Sequence, residues 1–204
     1  MIKLKYLLKG YFNMNDIQVE RSKDFDLKMI EDIYQLDQLV YSEHMAGSVE
    51  DDAKRYRKAP DAFILLKKKQ KIIGYLCFFP VSDEFYQKML DKDIMYDNNI
   101  GPDDIVHYEK GYLHHIFIIS MVIDPTYKGQ GLFRDVLVLF KESLIQHHLA
   151  GEYISDISGY AVSGPGEHIL KSFGSKLIKE VDDHGEKGQL FIADYQDFLE
   201  VFRP

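Results

Sequence analysis

Two hydrophobic rhythms alternate along the chain, and their order predicts its elements. In LKMIEDIYQLDQLVY, residues 27–41, the apolar residues Ile30, Ile33, Tyr34, Leu36 and Val40 recur at helical spacing between acids and glutamines. This predicts an amphipathic helix. SEHMAGSVEDDAKRYRKAP then mixes small and charged residues up to Pro60, which predicts a loop with a short helix around Asp51–Arg57. AFILL and KIIGYLCFFPV, parted by the basic turn KKKQK, are apolar over strand lengths and predict a hairpin. Residues 83–112 break the rhythm: EFYQKML is a short helical candidate, but turn signals and acids then outnumber apolar residues, so the segment reads as an insertion on a loop.

LHHIFIISMVI is almost wholly apolar, as a central strand covered on both faces must be. It leads through DPTYKGQGLF into LFRDVLVLFKESLIQHHL, where Leu132, Val136, Phe140 and Leu144 form one helical stripe. EYISDISGYAV predicts a further strand, PGEHILKSF a short helix, and SKLIKEV with GQLFIADY a closing pair. The order gives an α/β fold, a mixed sheet with helices on both faces. With 204 residues, 46% of them hydrophobic, the chain suffices for one substantial core. One domain is expected over residues 17–204, carrying the insertion at 83–112, with residues 1–16 as an N-terminal appendage.

Charge narrows the partners. A net charge of −8 argues against nucleic acid, whose binders neutralise phosphates with Lys and Arg, and fits a cationic partner better. Cys77 stands alone, so neither an intrachain disulfide nor a cysteine-rich metal site is expected, and the thiol reads as buried and inert. Lys9 and Gly10 interrupt MIKLKYLLKGYF before it reaches the length of a signal segment, and the apolar runs fall short of a membrane helix. A cytoplasmic protein without a membrane partner is the expectation.

DPTYKGQGLF carries the most chemistry. A strand entering a helix through glycines leaves the first N–H groups of the helix unpaired, aims them into one concavity and adds the positive end of the helix dipole. Gly129 and Gly131 remove the Cβ atoms that would hold an anion away, and Lys128 adds charge. GxxxxGK[ST] is absent, and GxGxxG fails at Arg134. Taken alone, the turn fits an anion cradle or a plain strand-to-helix connection.

Its setting decides more. VIDPTYKGQGLF before a long amphipathic helix resembles the acetyl-CoA-binding signature of the GCN5-related N-acetyltransferases (GNAT), [Q/R]-x-x-G-x-[G/A] opening the helix after the fourth strand. Lys128 stands for the usual Gln or Arg, Gly131 for the first motif glycine, and Phe133 replaces the final Gly or Ala. The element order from about residue 17 to 195 matches that fold, including SGPGEHILKSFGSKL at its second CoA-contacting helix, with Ser163 where Asn is frequent. The resemblance implies a mostly antiparallel sheet, and a central strand that splays from its neighbour to admit pantetheine. It also implies a CoA site of Met121, Val122, Ile123, Lys128, Gly129, Gln130, Gly131, Leu132, Phe133 and Ser163. Leu170 departs, standing where many members have the tyrosine that reprotonates the leaving thiolate.

By the same resemblance the chain would be an acetyl-CoA-dependent N-acetyltransferase that moves acetyl to a primary amine of a small molecule or peptide by direct attack, with acetyl-CoA as co-substrate. The alternative is a non-catalytic acyl-CoA-binding or regulatory domain. Two groups are candidates for the acid–base work, worth about 10²–10⁴-fold. Strand alternation puts His115 with Phe117, Ile119 and Met121, as a base or as a structural strand-end histidine. Tyr160 would supply the missing acid or simply pack, and Ser163 would cap its helix as well as touch pantetheine. Glu50, Asp51 and Asp52 after the first helix, and Asp91, Asp93, Asp97, Asp103 and Asp104 in the insertion, with Tyr86, Tyr96, Tyr108 and Tyr112 interleaved, suit an ammonium ligand or a solvated surface. The expected acceptor is therefore a cation bound in part by the insertion, and a homodimer is a further candidate assembly.

Overall fold

The computed structural model describes residues 16–41, 48–95, 99–183 and 185–203. The expected appendage, Asp16 apart, and Tyr96 and Asp97 of the insertion lie outside these residues. Among the described residues seven strands form one sheet: β1 (Ile17–Arg21), β2 (Phe63–Lys68), β3 (Lys71–Val81), β4 (Leu113–Ile123), β5 (Tyr153–Ala161), β6 (Lys176–Asp183) and β7 (Glu186–Asp194). Their spatial order is β1-β2-β3-β4-β5-β7-β6. Every neighbouring pair is antiparallel except β4 and β5, which run parallel. The mixed, mostly antiparallel sheet expected from the sequence is the one observed.

Among the described residues six α-helices cover it. α1 (Leu27–Asp37), α2 (Val49–Lys58) and α3 (Asp83–Asp91) pack on one face, where Ile30, Ile33, Tyr56 and Phe85 meet Phe63, Tyr75 and Phe117. α4 (Phe133–Leu149), α5 (Gly164–Ser172) and α6 (Tyr195–Val201) pack on the other, where Val136, Phe140, Leu144, Leu170 and Phe198 meet Phe78, Ile116, Ile157 and Phe191. Of the stripe read from the sequence, Val136, Phe140 and Leu144 are buried on α4, and Leu132 packs half-buried at its start. Helix starts follow local chemistry: the side chains of Asp26, Ser48, Ser82 and Ser163 each accept an N–H from the first turn of α1, α2, α3 and α5.

Two elements are not predicted by the hydrophobic pattern. β1 offers only Ile17 and Val19 toward the sheet and forms as an edge through antiparallel pairing with β2. α6 starts where Asp194 accepts from Gln196 and Asp197 N–H, and it buries Tyr195 and Phe198. No helix among the described residues is long and apolar enough to cross a membrane.

Candidate active site

β4 is irregular where it matters. Cys77 pairs with Ser120 and Phe78 with Ile118, so Ile119 is a surplus residue without a partner on β3. Phe117 and Ile119 join the core under α1, as simple alternation requires. Beyond the bulge Val122 faces that side, while Met121 and Ile123 join the core under α4. The expected grouping of His115 with Met121 is therefore corrected: one extra residue reverses the phase between them.

The same region opens the sheet. β4 and β5 pair from Leu113 and Tyr153 up to Ile118 and Gly159, after which β4 stays with β3 and β5 stays with β7. A cleft of about 440 Å³ occupies the gap and runs under the ends of α1 and α2. Its apolar lining includes Ile118, Ile119, Met121, Val162 and Leu170, and its polar lining includes Asp37, Tyr41, Tyr75, Ser120, Asp51, Asp52, Arg55 and Glu186.

These polar groups are connected. Tyr75 Oη donates to Asp37 Oδ1 at 2.6 Å and lies 2.9 Å from Ser120 Oγ, which lies 3.0 Å from Tyr41 Oη. Burial pushes the Asp37 carboxyl up to about 7, the hydrogen bond from Tyr75 pulling it down and the nearby Asp52 adding to the rise. Burial also raises Asp52, against the pull of Arg55, whose guanidinium donates to it. The Tyr75 phenol, wholly buried, is pushed well above its usual range and stays protonated. Cys77 is buried, and burial pushes its thiol up too, which leaves it a poor nucleophile.

At the far end of β4 the chain turns through Pro125–Tyr127 and two glycines into α4. Gly129 and Gly131 have φ of 76° and 72°, a conformation that other residues adopt only with strain, and a Cβ at either would meet nothing within 4 Å. The space above them is open. The amides of Gly129, Gln130, Gly131, Leu132 and Phe133 donate to no backbone acceptor outside the regular elements of the described residues, and Leu132 provides no side-chain cap. With exposed Lys128 beside them, this donor set fits a pyrophosphate. Leu132 and Phe133 turn their side chains into the core under α4, so the bulky residue at the last motif position leaves the amides clear.

Of the residues expected to touch CoA, Met121 and Ser163 line the cleft, and Lys128–Phe133 form the glycine turn. Val122 is buried under α1 and Ile123 packs under α4, so their side chains serve the cores. Ser163 Oγ accepts from Gly166 N–H at 3.3 Å and caps α5. Tyr160 lines the cleft, but its hydroxyl donates to the Ile94 carbonyl at 3.1 Å.

His115 is not brought to the cleft. It lies at the opposite end of β4, with Nδ1 2.6 Å from Asp156 Oδ2 and its ring stacked on Tyr86 at 3.7 Å. No described residue of the insertion, 83–112, lines the cleft. Asp104 accepts from Gly101 N–H, Asp93 lies 3.7 Å from the Lys179 ammonium, and the insertion instead braces the cleft walls through the carbonyls of Ile94 and Ile100. Among the described residues no cluster of three or more His, Cys, Asp or Glu could hold a metal.

Sequence reasoning missed Asp37, Tyr75 and Ser120. Ser120 did leave a signal, as the one hydroxyl in the run IFIISMVI. Asp37 left none, since an acid near the end of an amphipathic helix reads as solvated.

No match was found among curated proteins. Among solved structures, the chain resembles the loading GNATL domain of CurA from Lyngbya majuscula, with TM-score 0.64 and 17% identity over 88% of this chain and 98% of that one. It resembles Arabidopsis thaliana Naa50, in complex with the bisubstrate analogue CoA-Ac-MVNAL, with TM-score 0.59 and 8% identity over 88% and 99% of the two chains. The ribosomal-protein-S18-alanine N-acetyltransferase of Escherichia coli gives TM-score 0.55 and 11% identity over 87% and 93%. These likenesses establish the fold. The model of the acetyltransferase (GNAT) family matches residues 27–149, from α1 through the splayed β4 and the glycine turn to the end of α4, and the chain belongs to that family.

Proposed function

We propose that this protein transfers an acetyl group from acetyl-CoA to a protonated primary amine of a small molecule or peptide, by direct attack. Family membership supports acyl-CoA-dependent N-acyl transfer as the general activity. The observation that carries the finer reading is Asp37, a carboxyl raised to about 7 in the cleft where β4 leaves β5. A base with that pKa takes a proton from an ammonium near neutral pH and still returns it. In this reading the turn amides and Lys128 hold the pyrophosphate, the opening between β4 and β5 takes pantetheine, and the thioester rests beside Ser120 and Met121.

Asp37, Asp51, Asp52 and Glu186 share the lining with one guanidinium, that of Arg55, which favours a cationic acceptor. Cys77 is sealed in the core, which favours direct attack over an acyl-enzyme. The solved Naa50 complex carries a CoA–peptide analogue, whereas GphF, a GNAT-like decarboxylase with TM-score 0.61, was solved with isobutyryl-CoA. Acyl length is accordingly part of the test. Thiol release is followed with acetyl-CoA and isobutyryl-CoA against polyamines, aminoglycosides and lysine peptides, beside calorimetry with CoA. Turnover of an amine supports the reading. Leu170, which brings no hydroxyl to the cleft, favours the second reading of a non-catalytic acyl-CoA-binding domain. CoA binding without turnover across the panel would establish that one.

A further inference from the structure

Attack on a thioester leaves a thiolate that needs a proton, and the cleft hydroxyls differ in what they have to give. Leu170 has none, Tyr160 Oη donates to the Ile94 carbonyl, and Ser163 Oγ serves the N-terminus of α5. Ser120 is placed differently. It follows the surplus Ile119 at the point where the sheet opens, and it belongs to an unbroken chain of contacts, Asp37–Tyr75–Ser120–Tyr41, of 2.6, 2.9 and 3.0 Å. Since Tyr75 spends its hydrogen on Asp37, its oxygen accepts from Ser120. When Asp37 gains a proton the same bonds reverse, Asp37 donating to Tyr75 and Tyr75 to Ser120, and with Tyr41 Oη as a second donor to Ser120 Oγ the Ser120 hydrogen is released toward the cleft.

We propose that Ser120 is the catalytic acid of this site and that Tyr75 connects it to Asp37, so that the proton removed from the amine is the one returned to sulfur. The proposal rests on the acyl-CoA reading. The steps balance. Asp37 takes one proton from the ammonium, the nitrogen forms a bond to the thioester carbonyl carbon, and the C–S bond breaks with its electron pair on sulfur. Sulfur takes the Ser120 hydrogen, Ser120 is refilled by Tyr75, and Tyr75 by Asp37. The second proton lost by nitrogen goes to solvent, so ammonium and thioester give amide, thiol and one H⁺. The base and the acid are then two ends of one circuit, which accounts for a site without a hydroxyl at position 170.

The test uses CoA itself. Once Asp37 holds a proton the Ser120 hydroxyl donates to sulfur and stabilises the thiolate, so the thiolate fraction of enzyme-bound CoA, read by ultraviolet absorbance at and below about pH 7, should be about tenfold higher in the wild type than in Ser120→Ala. Ser120→Thr, which keeps the hydroxyl, should restore the wild-type titration and controls for a packing defect. Equal thiol titrations in all three proteins would overturn the assignment. Failure of the wild type to bind CoA by calorimetry would instead overturn the acyl-CoA reading, and the proposal with it. With acetyl-CoA and an amine from the panel, Ser120→Ala and Tyr75→Phe should each lower kcat about 10²-fold, and the double variant no further, because either change cuts the same circuit. Multiplicative losses would refute the connection through Tyr75.

Discussion

Replacing Asp37 with Asn should make the protein more stable and less active, and the gain should depend on pH. Burial lifts this carboxyl from 3.8 to about 7, whereas in the unfolded chain an aspartate titrates near ~3.9. Between those values the folded state binds the extra proton, so stability from this group is complete below about pH 3.9 and is lost as pH rises through 7. At about 1.4 kcal/mol per pH unit the whole span is about 4 kcal/mol, and about 2 kcal/mol of it falls between pH ~5.5 and ~8.5. Asn cannot ionise and still accepts the Tyr75 hydrogen bond, so the variant escapes that loss. For a chain of 204 residues each kcal/mol moves Tm by about 2–4 °C, which widens the Tm gap between variant and wild type by about 4–8 °C across the interval. Melting both proteins at the two pH values cancels the titration of every group that does not couple to Asp37. A gap that stays constant would show that Asp37 titrates in the ordinary range, and the base assigned to the cleft would fall with it.

Gly131→Val should weaken CoA binding in calorimetry by more than tenfold, because its branches would occupy the open space before the turn amides; the positive φ adds a stability cost of about 1–2 kcal/mol. The double change Asp103→Asn and Asp104→Asn should leave the acceptor KM unmoved at low salt, since neither residue lines the cleft, and a severalfold rise would return the insertion to the acceptor site. His115→Ala should cost about 2 kcal/mol in urea unfolding by stripping buried Asp156 of its ring partner, with CoA affinity intact; a loss of affinity at full stability would contradict its placement.

Much of the fold was legible because its long elements repeat one simple rule. LFRDVLVLFKESLIQHHL carries its buried stripe in plain view, and KIIGYLCFFPV is too apolar to be anything but interior. β1 escaped notice because five half-exposed residues carry little pattern until β2 offers a ladder. The glycine turn was legible for a similar reason: its backbone requirement is written in residue type. The residues proposed to handle protons were not. Asp37 differs from the other acids of α1 only in what packs against it, since Tyr75 arrives from a strand distant in sequence and shuts out water. His115 misled because alternation fixes a face and not a position along the strand: it shares the face of Ile119 but lies at the other end of β4, and the surplus Ile119, which nothing in IFIISMVI announces, turns only Met121 away from that face.

That surplus residue makes the passage between β4 and β5 a matter of chain length. Were Ile119 removed, Ile118 and Ser120 would stand as neighbours opposite Phe78 and Cys77, and every later side chain of β4 would keep its present face. Both cores and each polar group of the cleft would survive, yet the bend that carries β4 away from β5 would lose its cause. Deleting that one residue should close the sheet while leaving every residue of the proposed circuit in place. The opening is thus inherited as a number of residues, and substitutions that retune the acceptor side can accumulate around it without shutting it.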